Sequence, residues 1–171
     1  MKILVAAASK HGATEGIAEA IGTELVSRGM TVTVAPVDRV GSAAGYDAVV
    51  LGSAVYLGKW MKPAKEFATR ESATLSSIPV WLFSSGPIGA AAADPDPGDR
   101  RQGDEIAKAI GARDHRLFAG KLDRERLSLL ERAPVRMAKL PDGDFRPWDE
   151  IRAWAAEIAE ALQATARARS G

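Results

Sequence analysis

Ile3 to Ala8 is an unbroken apolar run with no polar position in it. A strand with one face in water alternates apolar and polar residues, so a continuous run predicts a strand covered on both faces. Ile17, Ile21 and Leu25 then recur at intervals of four with Ala18 beside them, and Gly29 follows Arg28, as in an amphipathic helix stopped by glycine. Thr31 to Ala35 is β-branched and alternating, and predicts a second strand; Ala48 to Gly52 is solidly apolar and predicts a third. Pro63 to Arg70 suits a helix with proline in its first turn, where no amide hydrogen is missed, and Pro79 to Phe83 opens a fourth buried strand. Asp99 to Ile110 has helical spacing, with Ile106 and Ile110 four apart, and Arg116 to Gly120 supplies a short fifth strand. In the last helix, Pro147, Asp149 and Glu150 mark the start, and Ile151, Trp154, Ala155, Ile158 and Leu162 share one face. Residues 163–171 lack an apolar face and are expected to form a frayed tail.

Strands alternating with helices predict an α/β fold: a doubly wound parallel sheet with right-handed crossovers and helices on both faces. At 171 residues the chain is expected to form one domain spanning 1–171, and no repeat or linker divides it. A composition of 46% hydrophobic and 26% charged residues is that of a soluble globular protein. The net charge of +1 gives no reason to expect nucleic acid or a strongly anionic membrane as partner. Cysteine is absent, which removes disulfides, thiolate metal sites and cysteine nucleophiles, and no metal site is expected. The apolar run at the amino terminus is too short for a signal peptide or a membrane span, so a cytoplasmic protein is expected.

In an open parallel sheet, ligands bind beyond the carboxyl ends of the strands where the strand order reverses. Three loops lie there: Ser9 to Thr14, Ser53 to Trp60, and Ser84 to Gly98. The first joins a strand to a helix through small and hydroxyl residues. Its amides and the Ser9 and Thr14 hydroxyls can converge on an anion, with Gly12 permitting close approach and the helix dipole favouring negative charge. An ordinary capped turn is the alternative reading of the same residues. The loop lacks the lysine-serine or lysine-threonine ending of a nucleoside-triphosphate loop and the paired glycines of a dinucleotide fingerprint. Asp38 is therefore read as a solvated loop acid, and Ala8 and Ser9 stand where a phosphorylated receiver would need acids.

Ser9-Lys10-His11-Gly12-Ala13-Thr14 resembles the Ser/Thr-x-x-Gly-x-Thr phosphate loop of flavodoxins. Gly52 to Trp60, followed by Glu66-Phe67, is similar to the second flavin loop of one branch, the bacterial menaquinone-dependent protoporphyrinogen oxidase-like flavodoxins. Ala119-Gly120-x-Leu and Trp148 extend the likeness over roughly Lys2 to Leu162. The resemblance implies a flavodoxin-like five-stranded sheet in the order 2-1-3-4-5 and FMN as cofactor. It implies that Ser9, Lys10, His11, Gly12, Ala13 and Thr14 hold the flavin phosphate. Ala54, Val55, Tyr56, Leu57, Gly58 and Trp60, with Ser84, Ser85, Gly86, Pro87, Ile88 and Gly89, would flank the isoalloxazine ring.

A flat apolar ring favours aromatic walls, so Tyr56 or Trp60 is a candidate to stack on it; packing on a neighbouring helix or a second copy in a homodimer is the other reading of each. Trp81, inside an apolar strand, is assigned to the core and His115 to the surface. Lys10 offers charge to a phosphate, and His11 a donor or proton-transfer group. Pro87 to Gly98 reads equally as a lid or a surface insertion. Asp123 to Leu140, carrying Leu127, Leu129, Leu130, Val135 and Met137, is expected to be a short helix beside the sheet. It is shorter and less aromatic than the insertion that serves quinone and membrane association in the branch, so at most peripheral membrane contact is expected. Because flavin does the chemistry, no catalytic side chain is required. The expected function is an FMN-dependent oxidoreductase, a quinone- or protoporphyrinogen-linked dehydrogenase. The alternative is an electron-transfer flavodoxin serving a redox partner protein, which a balanced charge disfavours because such carriers are typically very acidic.

Overall fold

A computed structural model of the chain describes residues 1–86, 97–123, 125 and 142–170. The opening apolar run becomes β1 (Lys2–Ala8), which lies between β2 (Thr31–Pro36) and β3 (Ala48–Tyr56), parallel to both. Val5 faces Val34 on one side and Val50 on the other. A two-residue strand, β4 (Lys59–Trp60), folds back antiparallel on the end of β3. Beyond β3 come β5 (Val80–Ser85) and β6 (Asp114–Phe118), so the five parallel strands run β2-β1-β3-β5-β6. This is the doubly wound order 2-1-3-4-5 once the short β4 is set aside. Off the sheet, β7 (Lys121–Leu122) pairs antiparallel with β8 (Gly143–Asp144).

Alternate residues of a strand point to opposite faces, and β1 shows the consequence directly. Ile3, Val5 and Ala7 join Val50, Phe83 and Phe118 under helices α1 (Ala13–Ser27) and α5 (Trp148–Ser170). Leu4, Ala6 and Ala8 join Val49, Leu51 and Leu82 on the other face, under α2 (Lys62–Arg70), α3 (Ser72–Ser77) and α4 (Pro97–Ile110). Two-sided burial is why the first, third and fourth parallel strands read as unbroken apolar runs. Trp154 of α5 sits edge-on to Phe118 and Phe83 at centroid distances of 5.6 and 6.3 Å. Trp81 is in the core as assigned, 5% exposed, with the Arg113 guanidinium over its ring.

Three expectations need correction. Helix α5 does not fray after Leu162 but continues to Ser170. Alanines 161, 164, 166 and 168 favour helix, and Gln163 Nε2 donates to the Arg28 carbonyl at 3.3 Å, tying this end to α1. Strand β6 begins at Asp114 rather than Arg116, which brings His115 into the sheet. That histidine is 5% exposed, not at the surface, because partners from two other elements satisfy both its ring nitrogens. The helix expected within Asp123 to Leu140 falls almost wholly outside the described residues. Among the described residues no helix is long and apolar enough to cross a membrane.

Candidate functional site

Strand register gathers the three loops. Ala8 is level with Ser53, and Ala54 with Ser85, so the chain leaves β1, β3 and β5 side by side at one edge of the sheet. Val55, Gly86 and Gly120 meet there: a Cβ on Gly86 would lie 3.0 Å from Cβ of Val55, and one on Gly120 would lie 3.4 Å from the Gly86 carbonyl oxygen. The Gly86 amide donates to the Phe118 carbonyl at 3.2 Å.

The first loop turns on Gly12, whose φ of 83° lies in the left-handed region that glycine adopts without strain. Gly12 is the N-cap of α1, and no side chain caps this helix. The first-turn amides of Ala13, Thr14 and Glu15 have no intrahelical acceptor, and a glycine offers them no side-chain oxygen. Ser9 Oγ accepts the Gly12 amide at 3.0 Å and keeps its own hydroxyl hydrogen to give elsewhere. Thr14 is buried in the first turn, His11 and Ala13 are partly buried, and Lys10 is exposed. These are the donors an anionic group takes: backbone amides at a helix start, a hydroxyl and a nearby ammonium. A cavity of about 260 Å³ opens on the β2 side of this loop, bordered by Ser9, Glu15, Asp38, Arg39, Met61 and Pro63. Asp38 there is exposed, as expected, but sits in a single 3-10 turn, Val37–Arg39, rather than in a loop.

Arg146, which sequence reasoning passed over, braces this loop from beneath. Its side chain is 10% exposed; Nη1 donates to the Ala13 carbonyl at 3.1 Å, Nη2 pairs with Asp144, and the guanidinium lies 4.3 Å over the Trp148 ring. Gly16 leaves the room: a Cβ there would sit 2.5 Å from Nη1. The Arg146 guanidinium beside Asp144 holds its carboxyl below the usual range.

The second loop is a hairpin tip. Leu57 and Gly58 have φ of 52° and 71°, Tyr56 is 46% exposed and Leu57 fully exposed, whereas Ala54 and Val55 are buried. Trp60 packs inwards at 2% exposure instead of facing the loop surface. Its Nε1 donates to Ser84 Oγ at 2.7 Å, and its amide donates to Gln102 Oε1 at 2.6 Å. Ser53 Oγ accepts the Met61 amide at 2.9 Å and fixes the exit into α2. In the third loop Ser84 and Ser85 are buried and Gly86 is partly exposed; Pro87, Ile88 and Gly89 lie outside the described residues, as does the stretch to Asp96 read as a lid or insertion. The structure thus brings Ser9 to Thr14, Tyr56 to Gly58 and Gly86 to one edge, and turns Trp60 and Ser84 into the interior.

The interior group they join includes a second residue the sequence did not reveal. His115 Nε2 is 2.8 Å from Ser84 Oγ and Nδ1 is 2.6 Å from Asp104 Oδ1, while Arg100 Nη2 donates to the His115 carbonyl at 2.9 Å. Burial pushes the imidazole below its ordinary value, against the Asp104 carboxylate, which favours the charged ring. Gly103, a glycine in the middle of a helix, was the available signal, since such a glycine commonly marks a close packing contact. A Cβ there would lie 2.3 Å from Cε1 of His115.

Comparison with known proteins agrees with this geometry. A flavodoxin domain family profile matches residues 4–146. The chain is 30% identical over 86 residues to the protoporphyrinogen IX dehydrogenase [quinone] of Escherichia coli K12, a match covering 49% of this chain and 48% of that protein. The chain therefore spans about half the length of the curated relatives it matches. Among solved structures, a flavodoxin from the domain Archaea superposes with a TM-score of 0.64 at 19% identity, covering 95% of this chain and 99% of the other. The rubredoxin oxygen:oxidoreductase of Desulfovibrio gigas gives 0.65 at 14% identity over 95% of this chain and 36% of its own. The uncapped start of α1 suits the phosphate of FMN, and the edge beside Tyr56 suits a flat ring. The chain belongs to the flavodoxin domain family, and FMN is the cofactor that membership implies.

Proposed function

We propose that the chain is an FMN-dependent oxidoreductase, a quinone- or protoporphyrinogen-linked dehydrogenase. Ser9, Lys10, His11, Gly12, Ala13 and Thr14 would hold the flavin phosphate. Tyr56, Leu57 and Gly58, with Ala54 and Val55 behind them, would flank the ring on one side and the backbone after Ser85 on the other. The observation that carries this reading is the Gly12 turn, which presents an uncapped helix start at the carboxyl end of β1, next to the end of β3 that leads to the exposed Tyr56. When bound, FMN supplies hydride and electron transfer; the protein binds it, orients it and keeps water from it. The partial likeness to a quinone-linked dehydrogenase supports the enzyme over a carrier, and so does a net charge of +1, which provides no field for steering towards a basic protein.

The test starts with an absorbance spectrum and extraction of cofactor from the purified protein, followed by turnover on a quinone and on protoporphyrinogen. Ser9→Ala and Thr14→Val should each weaken FMN binding by about ten- to a hundredfold, as expected when a hydrogen bond to a charged group is lost. Unchanged affinity in both variants would refute the phosphate loop. Reduction in separate one-electron steps without turnover on either substrate would favour the carrier.

A further inference from the structure

The side chain of His115 is 3% exposed, and its neighbours fix where its protons sit. The Trp60 indole is a donor only, and it donates to Ser84 Oγ at 2.7 Å. The hydroxyl hydrogen of Ser84 then points to His115 Nε2, 2.8 Å away, so the ring proton belongs on Nδ1, 2.6 Å from Asp104 Oδ1. Hydrogen bonds therefore run in one direction, from β4 through β5 and β6 to α4. Gln102 and Arg100 repeat the connection by bonding the Trp60 amide and the His115 carbonyl. Ser84, His115 and Asp104 share the order of a nucleophilic triad. However, Ser84 is fully buried and its oxygen already accepts the indole hydrogen, so the arrangement holds structure rather than attacking substrate.

We propose that His115 is a positioning residue: its neutral imidazole locks the Tyr56–Trp60 hairpin, the end of β5 and helix α4 together, and a second proton on the ring loosens the hairpin and the end of β5 that flank the flavin. The effect on flavin rests on the function proposed above, whereas the lock is a property of the protein alone. With Nε2 protonated, Ser84 Oγ would face two donors and its own hydrogen would need a new acceptor in a fully buried place, a costly arrangement. Among the described residues, the charged groups around the ring are Asp104 and Arg100 on α4 and Asp114 on its own strand; the partners it meets from β4 and β5, Trp60 and Ser84, are neutral. Burial outweighs the two carboxylates, so the ring gains its second proton on the acid side of the ordinary value of about 6.5.

The chain has 2 histidines, so nitrogen NMR of the imidazoles in FMN-free protein is simple to assign, using His115→Gln to identify the signal. The expected result is the Nδ1–H tautomer with a midpoint below the ordinary value. Asp104→Asn, at a half-exposed position, should move the midpoint lower still. An Nε2–H tautomer, an ordinary midpoint, or no response to Asp104→Asn overturns the lock. FMN affinity is then compared at pH 8 and at one pH unit below the midpoint found by NMR, in wild type, His115→Gln and His115→Asn. Titration of the FMN phosphate is common to all three and cancels. Wild type should weaken by about five- to tenfold more than the variants, the equivalent of one buried hydrogen bond. The same pH dependence in all three overturns the effect on the loops. Failure of wild type to bind FMN at either pH would instead refute the flavin reading, leaving the NMR result to decide the lock.

Discussion

Replacing Gly103 by alanine sets helix propensity against packing. In an open helix interior the change stabilises by about 1 kcal/mol. Here the new methyl would stand 2.3 Å from Cε1 and 2.4 Å from Nε2 of His115. The ring has little freedom to retreat, because Ser84 and Asp104 hold its two nitrogens and the Trp60 ring meets it edge-on at a centroid distance of 6.3 Å. If the ring moves, one hydrogen bond to a neutral partner and one to a carboxylate are lost, together about 2–4 kcal/mol. If α4 moves instead, Gln102 leaves the Trp60 amide and Arg100 leaves the His115 carbonyl, at similar cost. After offsetting the propensity gain, Gly103→Ala should destabilise by about 1–3 kcal/mol, in the range of ordinary overpacking. Urea unfolding followed by far-ultraviolet circular dichroism at pH 7.5 measures this, with an unchanged slope expected. A background of His115→Ala removes the obstacle, so there Gly103→Ala should become stabilising. A neutral or stabilising Gly103→Ala in wild type, or the same sign in both backgrounds, would refute the contact.

Arg146→Met should lower stability by about 1–3 kcal/mol through the lost bond to the Ala13 carbonyl and the lost contact with Trp148. The Asp144 pair adds little to that figure because Asp144 is 36% exposed. An unfolding midpoint and FMN affinity both equal to wild type would show that Arg146 does not brace the Ser9–Thr14 loop. Glu71, 9% exposed, accepts the Ala43 amide, the Ser42 hydroxyl and Arg70 Nε. The Ala43 amide above all, then Ser42 and Arg70, hold its carboxyl below the usual range against the opposing effect of burial. A folded-state value lowered in this way contributes stability that is present above the unfolded value of about 4.3 and is lost as pH falls through the folded value. Glu71→Gln should therefore cost about 1–3 kcal/mol at pH 7, with a smaller further loss than wild type below pH 4. Parallel acid curves for the two proteins would count against that assignment.

The elements legible in the sequence are those whose burial is simplest. Strands β1, β3 and β5 announce themselves because both faces are covered, and α1 and α5 because one face is. Strand β4 is two residues long and α3 has Leu75 as its one buried residue, so neither leaves a periodic signal. Asp114-His115-Arg116 is a polar triplet that reads as loop; the strand forms because His115 finds Ser84 31 positions earlier and Asp104 11 positions earlier. The same reason hides Arg146, whose bond to Ala13 spans 133 positions. Ser9 to Thr14 was readable because its chemistry is local, a turn and a helix start. Trp60 was ambiguous because a tryptophan beside a ligand loop has an apolar body and one donor, and only the position of Ser84 decides which environment satisfies both.

The hairpin tip bears on what could approach a flavin at this edge. Leu57 is fully exposed and holds φ of 52°, a conformation that costs a residue with a Cβ about 1–2 kcal/mol. The backbone serves the fold, because a two-residue turn between Tyr56 and Lys59 requires positive φ at both Leu57 and Gly58, but the leucine side chain buries nothing. The full exposure of Leu57 is the feature of this tip that the turn does not explain. Covering a leucine returns about 1.5–3 kcal/mol. On the proposed function, an apolar quinone or porphyrinogen ring arriving over Tyr56 and Leu57 would provide that cover. A charged protein surface would gain little from the leucine and would meet no net field to guide it. On the proposed function, the exposed leucine adds to the balanced charge in supporting an apolar substrate over a redox protein, since an apolar side chain gives its free energy only on close contact.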